Sequence, residues 1–352
     1  MNRPKWFDLL EELLEYPHGF LACVRPESTV LEFFRLNRID NTPSVSPSEY
    51  NEELFVVHPF DKTNSAHFYS LDRIASFECS AERSGFAEGE FPMSPLERQG
   101  FEQLVEKALV PLRKGEMKKV VLSARLSRPL SSLLDLRLER LFHGGETSSF
   151  RYLMQLEDKV CWLGDTPETL LAKTEQSIST MALAGTRRKN EVSIDGFTSK
   201  EFEEQEVVVQ ELVERLNPLA YNVEVFSRQQ ATAGTLVHLK TNITAKLPKG
   251  VSDKEVLEVL HPTAAVCGFP RENAIKWIHE EEVHDRELYA GYLGFQSTER
   301  SSYFVNLRCG RYADGLFEFF VGAGITADSE PQKEVDEIQA KTATMMLMFS
   351  ES

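Results

Sequence analysis

The sequence lacks the features that would fix it in a membrane, on nucleic acid or in a disulfide frame. No apolar run reaches the roughly 20 residues needed to span a bilayer. The start has no basic segment followed by an apolar core, so no signal peptide is expected. Cysteine is scarce: Cys23, Cys79, Cys161, Cys267 and Cys309 are scattered, odd in number and free of CxxC spacing. That argues against a disulfide scaffold and a cysteine zinc site, and points to a reduced, cytoplasmic setting. Positive charge is also short, with 39 Lys and Arg against 55 Asp and Glu, a net charge of −16. An acidic surface argues against nucleic acid and anionic membranes as partners. An anionic small molecule would need a locally positive pocket. No repeat, low-complexity tract or long linker divides the chain.

What is present is ample apolar material, 41% of 352 residues. Trp6, Leu9, Leu10, Leu13 and Leu14 at helical spacing predict an N-terminal helix. Short β-rich runs follow at 19–25, 29–36, 53–60 and 67–71, with polar breaks such as 41–48 between them. Residues 84–93 read as a connecting loop. Ser94, Pro95 and Glu97 combine a capping box with proline at the first helical position, predicting a helix to about Arg113 with Gly115 just beyond. A strand is expected over 118–126 and a helix over 133–142. Hairpins are expected at 150–156/160–164 and 169–174/177–182. Thr198 with Glu201, and Ser252 with Glu255, open two further helices, the second stopping at His261-Pro262. A helix over 271–282 and strands at 291–296, 302–312 and 316–325 complete the chain. Asp314-Gly315 is the turn between the last two strands.

Three patterns carry chemistry. Near the end of the chain, Glu334, Glu337, Ile338, Lys341 and Met345 share one helix face. Carboxylates among apolar residues need a metal or a counter-charge, although a solvated face with a Glu337–Lys341 pair gives the same spacing. The helix opened by Thr198 carries Glu204 on the stripe of Val208 and Leu212. Inward carboxylates on two helices make a candidate site for a hard divalent cation. The Asp314-Gly315 turn puts Arg308 opposite Val321 and beside Gly322. A guanidinium next to bare backbone N–H groups suits a carboxylate, and a surface strand arginine is the alternative.

At this point the motifs become recognisable. Lys119-Val-Val-Leu-Ser, Trp162-Leu-Gly-Asp-Thr-Pro-Glu168, Ala182-Leu-Ala-Gly-Thr186 and Lys200-Glu-Phe-Glu-Glu204 resemble chorismate-utilising enzymes. So do Leu260-His-Pro-Thr-Ala-Ala-Val-Cys-Gly-Phe-Pro-Arg271, Arg286-Glu-Leu-Tyr-Ala-Gly291, Val305-Asn-Leu-Arg308, Gly322-Ala-Gly-Ile325 and the Glu334 to Lys341 segment. The resemblance covers roughly 94–348 and is greatest to isochorismate synthases. Lys119 stands where water-using members carry a lysine, and His261-Pro-Thr is of the isochorismate type. Ala265 is the small residue found in members that do not go on to eliminate pyruvate, as salicylate synthases do. Aminodeoxychorismate synthase is a more distant alternative. The chain departs from the family pattern at Ala124, Gln205 and Ala264.

The resemblance implies one α+β domain over 1–352, with two large packed antiparallel sheets and helices outside. Residues 1–93 would complete the sheets, and 94–348 would carry the motifs. It implies Mg²⁺-dependent conversion of chorismate to isochorismate by water attack at C2 and loss of the C4 hydroxyl. Lys119 would be the base and Glu168 the acid. Glu204 and Glu337 would bind Mg²⁺, with Glu334 close by. Arg308, Gly322 and Tyr289 would hold a carboxylate, with His238 near the ring hydroxyl. Gly185, Thr263, Ala265 and Lys341 would complete the substrate pocket. A cytoplasmic monomer without an amidotransferase subunit is expected. Menaquinone and siderophore pathways are not distinguished.

Overall fold

The computed structural model describes residues 4–39, 52–79, 92–143, 148–157, 159–188, 196–233 and 236–349. The polar break at 41–48, and the loop at 84–93 up to residue 91, lie outside them.

Seven α-helices are found among these residues: α1 (Trp6–Leu14), α2 (Pro95–Arg113), α3 (Leu138–Phe142), α4 (Ser199–Leu216), α5 (Asp253–Leu260), α6 (Arg271–Glu281) and α7 (Pro331–Phe349). The helix starts follow the caps. Ser94 Oγ accepts the Glu97 amide while the Glu97 carboxylate accepts the Ser94 amide, and Ser252 with Glu255 does the same. Each pair satisfies amides that the first turn cannot bond internally. The expected helix over 133–142 is instead a single 3₁₀ turn at Leu133–Asp135 followed by the short α3.

The strands are β1 (Gly19–Val24), β2 (Val30–Ile39), β3 (Leu54–His58), β4 (His67–Glu78), β5 (Lys119–Pro129), β6 (Phe150–Gln155), β7 (Cys161–Thr166), β8 (Thr169–Thr174) and β9 (Ser177–Arg188). They continue with β10 (Tyr221–Val225), β11 (Gln229–Ala233), β12 (Leu236–Lys246), β13 (Gly268–Phe269), β14 (Tyr292–Gln296), β15 (Arg300–Val305), β16 (Cys309–Ala313) and β17 (Leu316–Ile325). Every pairing is antiparallel. One run of pairings joins β12, β9, β8, β15, β14, β3 and β4. Another joins β2, β1, β6, β7, β16, β17, β5 and β13. The β2–β4 ladder links the two runs, so the expected pair of sheets is one hydrogen-bonded ribbon folded over. Phe150 of β6 stacks on Phe304 of β15, with ring centroids 4.8 Å apart, and meets Phe295 of β14 edge-on. These rings sit in one continuous core.

Two further elements differ from expectation. Strand 302–312 is broken at 306–308 into β15 and β16, and Arg308 leaves the ladder in the left-handed region (φ 47°). The hairpin formed by β10, β11 and β12 was not anticipated. Its outer arm is exposed along most of Tyr221–Val225, so it carries no apolar alternation to read.

The chain crosses between the two runs of strands at 166–168, from β7 to β8, and at 306–308, from β15 to β16. The crossings lie side by side. The Val305 amide donates to the Glu168 carbonyl at 3.0 Å, and the Asp165 amide to the Arg308 carbonyl at 3.2 Å.

Candidate active site

A cavity of about 130 Å³ opens at these crossings, walled by β9, β12, β17, α4, α7 and the 265–266 turn. Ten of the sequence-predicted site residues line it. Glu168, Arg308 and Tyr289 come from the crossings and the segment before β14. Gly185 and His238 come from the β9–β12 ladder, and Ala265 from the turn. Glu204 reaches in from α4, Gly322 from β17, and Glu337 and Lys341 from α7. Lys119, Thr263 and Glu334 are buried and are not among the lining residues.

Glu168 follows Pro167 at the crossing and is almost fully buried. Among the described residues its Oε1 has no hydrogen-bond partner. Burial in an apolar setting disfavours the carboxylate and pushes its pKa up to about 8, against a smaller opposing pull from the Lys119 charge. It therefore carries a proton at neutral pH and can donate it.

Lys119 begins β5 under the cavity floor. Its Nζ lies 2.8 Å from Glu204 Oε1 as an ion pair without hydrogen-bond alignment. Glu204 points inward because α4 buries Val208 and Leu212 on the same stripe. The floor between them is Gly324. A Cβ there would lie 2.5 Å from Glu204 Oε1 and 3.0 Å from Lys119 Cε.

Lys341 and Arg308 bring positive charge to the cavity. Lys341 Nζ donates to the Gly322 carbonyl at 2.7 Å and pairs with Glu337 at 2.7 Å. The Glu337–Lys341 pair thus faces the cavity, with both side chains half-buried. Arg308 donates to His238 Nε2 at 3.2 Å, so His238 Nδ1–H donates to Thr186 Oγ1, 2.9 Å away. Burial first, then the Arg308 and Lys341 charges, hold the His238 pKa well below its usual value. The ring is neutral. Tyr289 stacks on Phe320, and burial raises its pKa so that its hydroxyl stays protonated.

Gly185 sets the β9–β12 wall. The β9–β12 register slips there, so Thr186 faces His238 and Ala184 faces Leu239. Gly185 is the extra residue, with φ at +71°, and a Cβ would meet the Glu201 carbonyl at 2.9 Å. Only glycine fits this bulge.

Thr186 itself was missed as a site residue, although it ends one of the quoted motifs. The buried Gln205 is also connected: it donates to Thr241 Oγ1 and accepts from Arg228, both at 2.7 Å. This ties α4 to β12 just behind Glu204. Among the described residues no group of three or more His, Cys, Asp or Glu stands at metal-holding separation. Glu204 and Glu337 are the two carboxylates of the potential metal set that face the cavity.

A family profile described as chorismate binding enzyme matches residues 64–350, and the chain belongs to that family. Isochorismate synthase EntC of Escherichia coli is 31% identical over 312 residues, covering 83% of this chain and 79% of that protein. Isochorismate synthase MenF of the same organism is 29% identical over 265 residues, covering 72% of this chain and 61% of that one. The crystal structure of the isochorismate synthase DhbC from Bacillus anthracis superposes with a TM-score of 0.78 at 23% identity, over 96% of this chain and 98% of that one. That likeness extends the fold to the N-terminal strands, which carry no motif.

Proposed function

We propose that this protein is an isochorismate synthase, converting chorismate to isochorismate with Mg²⁺. The observation that carries the reading is the arrangement of two proton-transfer groups at one cavity. Glu168 faces it protonated, and Lys119 lies beneath its floor beside Glu204. The reaction needs both, because water must lose a proton as it attacks C2 and hydroxide is a poor leaving group at C4.

Lys119, in its free-amine form, takes the proton from the attacking water. Glu168 gives its proton to the departing C4 hydroxyl, which leaves as water while the ring double bonds shift. One water is consumed and one released, so the net change is an isomerisation. Arg308, the Gly322 N–H and the Tyr289 hydroxyl hold one carboxylate of the dianionic substrate. His238, neutral and oriented by Arg308 and Thr186, offers a polar contact to the ring without adding charge. Leu183, Leu307 and Phe320 exclude bulk water.

The donor set facing the cavity suits magnesium, which takes few carboxylates and keeps waters and substrate oxygens as its other ligands. Glu204 and Glu337 would hold it, with Glu334 buried behind them on α7. Bound there, Mg²⁺ would offset the repulsion between these glutamates and a substrate carboxylate.

Incubation with chorismate and Mg²⁺ is expected to yield isochorismate, reversibly, with no ammonia requirement and no pyruvate. Pyruvate release at a comparable rate would move the assignment to salicylate synthase, and absence of turnover would overturn it. Ala265 at the cavity wall favours isochorismate as the end product.

A further inference from the structure

Strand β5 carries Lys119 and has β17 along one edge for its whole length from Val120 to Pro129. The other edge is different. There β13 pairs only with Lys119 and Val120. The Val121 amide still reaches the Cys267 carbonyl at 2.9 Å, and among the described residues no strand continues beyond it. The next two backbone groups on that edge are the Val121 carbonyl and the Ser123 amide. Left buried and unpaired, each would cost about 1–3 kcal/mol.

Two side chains replace the missing strand. Arg286 Nη2 donates to the Val121 carbonyl at 2.7 Å, and the Ser123 amide donates to Glu282 Oε1 at 2.7 Å. Ser123 Oγ adds a bond to Glu282 Oε2 at 3.0 Å and meets His284 Nε2 at 2.9 Å. Arg286 grips Glu282 through Nε and Nη2, at 2.8 and 2.6 Å, with both side chains only 2% exposed. Its remaining nitrogen, Nη1, donates to the Val266 carbonyl at 2.9 Å, and its own carbonyl accepts the Tyr289 amide at 2.8 Å. The guanidinium lies over the Phe60 ring, 4.4 Å from the centroid.

The Arg286 guanidinium therefore joins the strand of the base to the 265–266 wall, while its backbone carbonyl holds the segment carrying Tyr289. A buried ion pair costs desolvation and is a weak source of net stability. Its planar fork, however, fixes direction at several acceptors at once, which an ammonium cannot. We infer that Arg286, locked by Glu282, is a positioning residue that sets the strand of Lys119 against the substrate wall. This rests on the isochorismate synthase reading.

Arg308 and Gly322 sit on other elements, and the Tyr289 amide bonds to the Arg286 backbone carbonyl, which a change of side chain leaves in place, so the effect should fall mainly on kcat. Arg286→Lys keeps the charge and loses the fork. It is expected to lower kcat for chorismate roughly 10- to 100-fold with KM little changed. Amide exchange in the peptide spanning 119–125 is expected to accelerate. Ser123→Ala, a milder change should the first variant fold poorly, is expected to lower kcat by a smaller factor in the same pattern. Wild-type kcat in both variants would overturn the inference, as would a loss that only tracks the folded fraction by circular dichroism. If the wild-type chain does not turn over chorismate, the functional reading falls. The exchange measurement then decides the positioning alone, and unchanged exchange at 119–125 would sink it.

Discussion

Gly324 and Glu204 are matched by contact: a methyl group on the glycine would lie 2.5 Å from Glu204 Oε1. The atoms it would displace are the tips of two long side chains, Glu204 and Lys119, rather than backbone. The fold can yield there at little cost, but the proposed base and metal ligand cannot stay in place. Gly324→Ala is therefore expected to keep a near-native melting temperature while kcat falls by roughly 10²-fold. A calorimetric scan beside a chorismate assay checks both halves, and full activity would show that the floor tolerates the shift.

The elevated Glu168 pKa gives a pH dependence of definite sign. The carboxyl is protonated below about 8, far above its ordinary 4.5, so it can act as the acid below that pH and not above. The expected kcat/KM therefore falls as pH rises through about 8. Stability runs the same way. Between about 4.5 and 8 the folded chain keeps a proton that the unfolded chain loses, so this group's contribution is complete below about 4.5 and declines towards 8. Glu168→Gln is expected to be inactive, with a melting temperature that falls less on alkalinisation than the wild type's. A wild-type profile flat through this range would exclude Glu168 as the acid.

Removing Lys119 separates chemistry from cation binding. Lys119→Ala is expected to lose turnover by roughly 10²- to 10⁴-fold. Mg²⁺ binding by calorimetry should persist or strengthen, because Glu204 loses the ammonium 2.8 Å away. Turnover near wild type would rule out the base assignment.

Arg308→Lys keeps a positive charge but not the planar pair of donors. Loss of a charged hydrogen bond to a carboxylate is expected to raise the KM for chorismate roughly 10- to 100-fold, with a smaller effect on kcat. In Arg308→Ala, the His238 ring loses one of the two charges that depress its pKa. Its titration by NMR should move upward, while burial still holds it below an exposed imidazole. An unmoved histidine would mean that Arg308 does not act on it.

Much of this was legible in the sequence, for identifiable reasons. Helix starts were readable because capping is local: Ser94 with Glu97 fixes the first turn of α2 whatever packs above it. The Asp314-Gly315 turn fixed the register that brings Arg308 towards Gly322. The broken strand at 306–308 was not readable, because it depends on Asp165 and Glu168 meeting the chain from a distant crossing. The role of Gly185 was equally hidden, since a one-residue slip against β12 leaves no periodic trace. Glu282 was read only as the end of the 271–282 helix, and Arg286 only as the first residue of a motif. Their function as a substitute strand edge follows from where β13 stops.

The side-by-side crossings at 166–168 and 306–308 have a consequence for any attempt to change what this protein accepts. The segment proposed to grip the substrate and the segment proposed to deliver the proton hang from each other by two peptide hydrogen bonds. A library that varies Leu307 and its neighbours alone will mostly return binders that no longer react. Selecting new substrates will require varying both crossings together.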